Sequence, residues 1–167
     1  MFKGAAIVMG VTSCGKTTLG EALAKALNVK FVEGDKLHPP ASIAKMSAGQ
    51  PLNDDDRWPW LAQVGRELQG SDGIIASCSS LKRAYRDLIR AEARRPVMFI
   101  HLHGSRELLA QRIAARKNHF MPPTLLDSQL ATLEMPGDGE TFITIAIDAP
   151  LERQVAQALR AILGWKA

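Results

Sequence analysis

The chain has 167 residues, 46% hydrophobic and 23% charged, which suits one soluble domain with its own core and speaks against disorder. Its only cysteines, Cys14 and Cys78, argue against a disulfide scaffold and a cysteine zinc site and favour a reducing, cytoplasmic setting. Net charge is a mild +4 and aromatics are 5%, so the basic clusters at Lys82–Arg95 and Arg106–Lys117 suit a small anion better than nucleic acid.

Ala5–Met9 is a short apolar run ending at Gly10 and reads as a buried strand rather than a signal segment, since no small-residue cleavage site follows. No apolar stretch nears the roughly 20 residues of a spanning helix, so no membrane role is expected. Leu19, Leu23 and Leu27 recur every four residues, which predicts a helix over Lys16–Leu27 ending near Asn28. Lys30–Glu33 reads as a second strand, stopped by Gly34-Asp35. Pro39-Pro40 opens a helix to about Ala48. After Gly49-Gln50-Pro51, the acids Asp54, Asp55 and Asp56 lead a helix through about Leu68.

Gly73–Ser77 is uniformly apolar until its serine, as in a parallel strand covered on both faces. A helix over Leu81–Arg94, a strand over Val97–Leu102 and a helix from Ser105 to about Lys117 follow. Phe120–Thr124 contains Pro122-Pro123 and is expected to be irregular, with a helix over Leu125–Leu133. Thr141–Ile147 is a fifth strand. Asp148 is expected to cap the last helix, with Pro150 at its start and Leu151, Val155, Leu159 and Ile162 on one face. The alternation of strands and helices predicts a single three-layer α/β domain over 1–167 with a parallel sheet.

Gly10-Val11-Thr12-Ser13-Cys14-Gly15-Lys16-Thr17 fits G-x-x-x-x-G-K-[ST] between a predicted strand and a predicted helix, the context that marks a P-loop. Its glycines let backbone N–H groups curl around phosphate oxygens, and the following helix adds positive charge. Lys16 is expected at the β- and γ-phosphates of ATP and the Thr17 hydroxyl on Mg²⁺.

Three features narrow the reaction. No Asn-Lys-x-Asp occurs, which disfavours a regulatory GTPase. The third strand ends in Ser77, so a Walker-B carboxylate is missing there. Arg112, Arg116 and Lys117 precede the irregular segment and suit a basic lid that neutralises a transferring phosphoryl group. Together they favour a small-molecule kinase. Asp35, at the carboxyl edge of the sheet, is placed to orient an acceptor hydroxyl and take its proton.

Further stretches carry a resemblance: Gly34-Asp35-Lys36-Leu37-His38-Pro39, Lys45-Met46, Gly49 to Arg57 with Pro59-Trp60-Leu61, Cys78-Ser79-Ser80-Leu81-Lys82 with Tyr85-Arg86-Asp87, Ala115-Arg116-Lys117 with His119-Phe120, and Gln129 with Thr132-Leu133-Glu134. In this order they resemble the P-loop gluconate kinases, over nearly the whole chain. The resemblance implies transfer of the ATP γ-phosphate to the 6-hydroxyl of D-gluconate. It also implies a fold similar to nucleoside monophosphate kinases, with a five-stranded parallel sheet and a moving lid at about 113–124, and a homodimer. The chain departs from the family at Thr12-Ser13-Cys14, where serine and glycine are common, and at Asn118, Met121 and Met135.

On this reading Gly10, Val11, Thr12, Ser13, Cys14, Gly15, Lys16, Thr17, Thr18, Arg112 and Arg116 bind the nucleotide. Lys16, Asp35 and Arg116 are the catalytic candidates. The acceptor, a polyhydroxylated carboxylate, needs cations and hydrogen-bonding groups. Asp35, His38, Lys45, Arg57, Ser79, Lys82 and Arg86 are its candidate contacts, with Lys82 and Arg86 four apart on one predicted helix face. Asp54–Asp56 either help hold Mg²⁺ or cap their helix. Trp58 and Trp60 read as packing, and His101 and His103 lack an obvious third metal ligand. Cys14, in an electropositive loop, is expected to have a lowered pKa and to be oxidation-sensitive. Another P-loop kinase acting on shikimate or a nucleotide, and a nucleic-acid protein using the basic helix, are the competing readings.

Overall fold

The computed structural model describes residues 1–70, 72–116 and 123–166. The lid residues Lys117, Asn118, His119, Phe120, Met121 and Pro122 lie outside the described residues.

Five parallel strands form one sheet in the order β2-β3-β1-β4-β5. They are β1 Ala5–Met9, β2 Lys30–Glu33, β3 Ile74–Ser77, β4 Val97–His103 and β5 Phe142–Ala146. The central strand β1 is buried along its whole length. Its side chains divide between two cores, as the period of two requires. Ala6 and Val8 meet Leu19 and Leu23 of α1 (Lys16–Leu27) and Ala158 and Ile162 of α7 (Leu151–Gly164). Ala5, Ile7 and Met9 meet Trp60, Leu61 and Val64 of α3 (Asp54–Glu67) and Tyr85 and Ile89 of α4 (Arg83–Ala93). The three-layer parallel architecture expected from the alternation is therefore present. Among the described residues no helix is long and apolar enough to cross a membrane.

Three helices complete the chain: α2 Pro40–Ser47, α5 Arg106–Ala115 and α6 Pro123–Thr132. Helix α1 ends at Asn28 in the left-handed conformation that asparagine tolerates, its N–H returned to Ala24 and Lys25 carbonyls. Several boundaries differ from the sequence reading. Gly34–Leu37 is a 3-10 turn, not a simple stop. Helix α6 starts at Pro123, so that proline opens a helix instead of ending an irregular stretch. Pro150, not Asp148, occupies the last N-cap without a side-chain cap, because Asp148 is still in the turn after β5. Helix α5 stops at Ala115, with Arg116 as its C-cap in extended conformation.

Register aligns the carboxyl ends of three strands. Glu33 of β2 pairs with Ser77 of β3, and Ser77 pairs with Val8 of β1. The loop after β1 and the turn after β2 therefore emerge side by side, at the edge where parallel sheets gather ligands.

Candidate functional site

The loop after β1 folds as its motif requires. Gly10 adopts φ 144°, and a Cβ there would stand 2.8 Å from Cys14 Sγ and 2.9 Å from the Leu102 carbonyl oxygen. Gly15 is the left-handed N-cap of α1 at φ 96°. Lys16 and Thr17 thus open the helix with its free N–H groups facing the loop. The Lys16 ammonium folds back and donates to the Val11 carbonyl at 3.0 Å. Thr18 is exposed in the same first turn. Ser13 takes φ 62°, a left-handed position where a non-glycine residue costs roughly 1–2 kcal/mol.

Cys14 corrects an expectation. It is 1% exposed, and burial pushes its thiol pKa up against the opposing pull of Lys16 and Arg112. Desolvation disfavours the thiolate more than the cations favour it, so Cys14 is a core residue and not a reactive thiol.

The carboxylate missing from the end of β3 comes from the neighbouring strand. The Thr17 hydroxyl donates to Glu33 Oε2 at 2.5 Å. Ser77 Oγ donates to Glu33 Oε1 and accepts from the Gly34 N–H at 3.4 Å. A hydroxyl and a carboxylate together are hard oxygen donors, the kind Mg²⁺ takes alongside phosphate oxygens and water. Among the described residues no group of three or more His, Cys, Asp or Glu side chains forms a self-sufficient metal site. The set therefore suits a cation delivered with a nucleotide. The sequence reading missed Glu33. Its signal was an acid at the carboxyl end of β2, beside the strand whose own acid is absent.

The 3-10 turn places Asp35 exposed at the sheet edge, its carboxylate in no side-chain hydrogen bond or ion pair among the described residues. Trp60 Nε1 donates to the Gly34 carbonyl at 2.8 Å, and the His38 ring stacks on Trp60 at 4.1 Å. Trp60 is the packing residue expected, and it also fixes the turn that carries Asp35. Burial, reinforced by Arg57 and opposed by Asp35, lowers the His38 pKa, so this imidazole is held toward its neutral form. Its Nδ1 is buried and unpartnered among the described residues.

Arg57, whose charge acts on His38, belongs to a group of three candidate cations held by Asp54 and Asp56. Lys45, Arg57 and Lys82 have side chains 34%, 32% and 33% exposed, neither sequestered nor free in solvent. Lys45 Nζ meets Asp56 Oδ2 at 2.6 Å. Lys82 Nζ meets Asp54 Oδ2 at 3.2 Å, and Arg57 Nη1 lies 3.5 Å from Asp54 Oδ1. Tyr85, 3% exposed, donates to Asp54 and accepts from Arg57 at 3.3 Å. The hydrogen bond from Tyr85, then that from Lys82, lowers the Asp54 pKa, and Asp54 in return raises that of Lys82.

The aspartate run is thus used twice. Asn53 and Asp56 form a capping box at the start of α3, and Asp54 and Asp56 hold the cations. Their carboxylates are committed there, and Glu33 is the acid on Thr17. Tyr85 and Asp54 were not foreseen as organisers of this cluster. The packing of α3 against α4 brings them together.

Arg86 does not join it. Lys82 is the N-cap of α4, outside the helix, so the two cations do not share a helical face. The Arg86 guanidinium is fully buried, gripping Glu140 through Nε at 2.7 Å and Nη2 at 3.1 Å and donating to the Ser80 carbonyl at 2.9 Å. All its reach is spent inside the protein, so it fastens the loop before β5 to α4 and contacts no acceptor. Burial alone would raise the Glu140 pKa, but hydrogen bonds from Arg86 and Arg90 bring it down to about 2. Ser79 is half-buried, and its carbonyl accepts from the Gly10 N–H at 3.2 Å, tying the β3 loop to the P-loop.

Arg112 and Arg116 reach the P-loop from α5. Arg112 donates to the Ile147 carbonyl at 2.8 Å and to that of Cys14 at 3.5 Å, and Arg116 Nη1 lies 3.3 Å from Ser13 Oγ. His101 is buried, its pKa pushed down to about 4 by burial and by its neighbours His103 and Arg86, so it is a neutral core histidine.

Comparison with known proteins agrees with this geometry. The shikimate kinase family profile matches residues 12–136. A gluconokinase from Gluconobacter oxydans is 48% identical over 144 residues, covering 84% of this chain and 80% of its own. The thermoresistant gluconokinase of Escherichia coli is 40% identical over 161 residues, covering 93% and 91%. The crystal structure of a gluconokinase from Sinorhizobium meliloti superimposes with a TM-score of 0.90 at 47% identity, covering 98% and 93%. The chain belongs to the gluconokinase family. The shikimate kinase of Aquifex aeolicus, at 14% identity and a TM-score of 0.60, covers 96% of both chains and shares the fold alone. The chain is accordingly a P-loop kinase, with a nucleotide loop on β1 and a cation cluster across the sheet edge from it.

Proposed function

We propose that this kinase transfers the γ-phosphate of ATP to the 6-hydroxyl of D-gluconate, giving 6-phospho-D-gluconate and ADP. The observation that carries the reading is identity of 48% and 40% to named gluconokinases over most of both chains. The cluster of Lys45, Arg57 and Lys82 beside Asp35 and His38 supports it, because a sugar acid needs cations at one end and polar groups along its length.

In this reading the loop amides and the start of α1 bind the phosphates, and Lys16 lies against the β- and γ-oxygens. Thr17 and Glu33 would hold Mg²⁺, which neutralises charge on the phosphates when bound. Arg112 and Arg116 add positive charge at the same end. Asp35 aligns the acceptor hydroxyl and takes its proton, while Lys45, Arg57 and Lys82 hold the carboxylate away from the reacting end. Segment 113–124 serves as the lid, supported by the contacts of Arg112 and Arg116 at its base. Family resemblance extends the proposal to a cytoplasmic homodimer.

Shikimate is the second reading, favoured by the family profile. The test is ADP release with Mg-ATP against D-gluconate, shikimate, glycerate, nucleosides and nucleoside monophosphates. A response to D-gluconate alone is expected. Silence with gluconate and a response to shikimate would overturn the acceptor and keep the kinase.

A further inference from the structure

One peptide unit of the P-loop is gripped at both ends. The carbonyl of the Val11–Thr12 peptide accepts from the Lys16 ammonium at 3.0 Å. The N–H of the same peptide donates to Gln129 Oε1 at 2.7 Å. Gln129 stands 117 residues away from Thr12 in sequence, in the last turn of α6. Only its amide oxygen can accept, so the bond also fixes the orientation of the side chain. Accepting from the N–H polarises the peptide and strengthens the hold of its carbonyl on the ammonium.

The element that presents Gln129 is anchored on both sides. Leu126 is buried in the core, and Arg106 clasps Asp127 at 2.6 and 3.0 Å. Beyond the helix, Glu134 N–H donates to the Leu81 carbonyl at 2.8 Å, and Glu134 Oε2 accepts from the Arg83 N–H at 2.9 Å. That last contact caps α4 next to Lys82, where no side chain at the N-cap does so. Gln129 is therefore held in place by contacts besides its own bond to the loop.

We infer that Gln129 is a positioning residue for the P-loop lysine. Through the Val11–Thr12 peptide it sets where the Lys16 ammonium stands. This rests on the nucleotide-binding reading of the loop and not on the identity of the acceptor, so binding experiments separate the two.

The test is a double-mutant cycle on the full chain, read as Mg-ATP affinity by titration calorimetry. Gln129→Met keeps the side-chain volume and removes the acceptor, and Lys16→Met removes the ammonium. With Lys16 present, Gln129→Met is expected to weaken Mg-ATP by about tenfold, the scale of one hydrogen bond to a charged network. In the Lys16→Met background the same change is expected to cost less than about twofold. AMP, which lacks the phosphates Lys16 reaches, is expected to bind equally well to the parent and to Gln129→Met. Equal losses in both backgrounds, equal losses of ATP and AMP, or no loss at all would overturn the inference. Gln129→Asn, which withdraws the same acceptor by one methylene, is run through the same cycle in case the methionine variant does not fold.

Discussion

Gly34→Ala tests the turn that joins β2 to the acceptor side. A Cβ on residue 34 would stand 2.1 Å from the Ser77 carbonyl oxygen, a backbone atom of the neighbouring strand. Regaining ordinary contact requires a relative shift of at least about 1 Å, and a misplacement of that size costs on the order of 100-fold in rate. The shift cannot be absorbed by a flexible side chain. Ser77 is locked in register with Glu33 and Val8, and the Gly34 carbonyl is held by Trp60. Overpacking of this kind also costs about 1–3 kcal/mol of stability.

The substitution moves Glu33 and Asp35, the residues on either side. The expected result is a folded protein with a Tm lower by several degrees and turnover down by about two orders of magnitude. The assay is coupled ADP release together with a thermal melt. Near-parental turnover with an unchanged Tm would refute the argument that this close approach positions the two carboxylates.

Three further outcomes are expected. Glu33→Gln keeps the side-chain shape but removes the charge and leaves one acceptor oxygen where Thr17 and Ser77 use two, and should raise the Mg²⁺ concentration for half-maximal activity about 10–100-fold, measured by metal titration at saturating ATP. Glu140→Gln leaves Arg86 buried without its counter-charge and should cost about 3–5 kcal/mol at neutral pH. The Glu140 carboxyl is depressed to about 2 in the folded state, so its contribution is present above the ordinary glutamate range and lost as pH falls from about 4.5 toward 2. Melts between pH 3 and 7 should show a larger acid loss in the parent than in the variant. Mild peroxide should leave ATP binding unchanged, because Cys14 is buried with a raised pKa; mass spectrometry should find its thiol unoxidised unless the protein is unfolded.

The parts of the fold legible from sequence were those with local causes. The period of Leu19, Leu23 and Leu27 marks α1, and the apolar runs mark β1 as a buried strand and β3 as one covered on both faces. The P-loop was legible because its glycines, lysine and helix start are contiguous. What sequence reasoning lost were roles set by tertiary partners. Arg86 reads as a ligand contact in sequence, whereas the fold sets Glu140, 54 residues on, against it. Glu33 looked like a strand end until parallel pairing put it next to Ser77. Cys14 looked electropositive because charge is visible in sequence and burial is not.

Glu33 and Asp35 are separated by a single residue. Two peptide units span at most about 7 Å, whatever the rest of the protein does. In the proposed reaction one of these acids belongs to the donor half and the other to the acceptor half, so the covalent chain itself acts as a ruler between them. Helices that open and close around the cleft can change who enters without changing that interval. Acceptor preference is then free to drift through α2, α3 and α4, while the gauge between the two reacting partners stays set by one short turn.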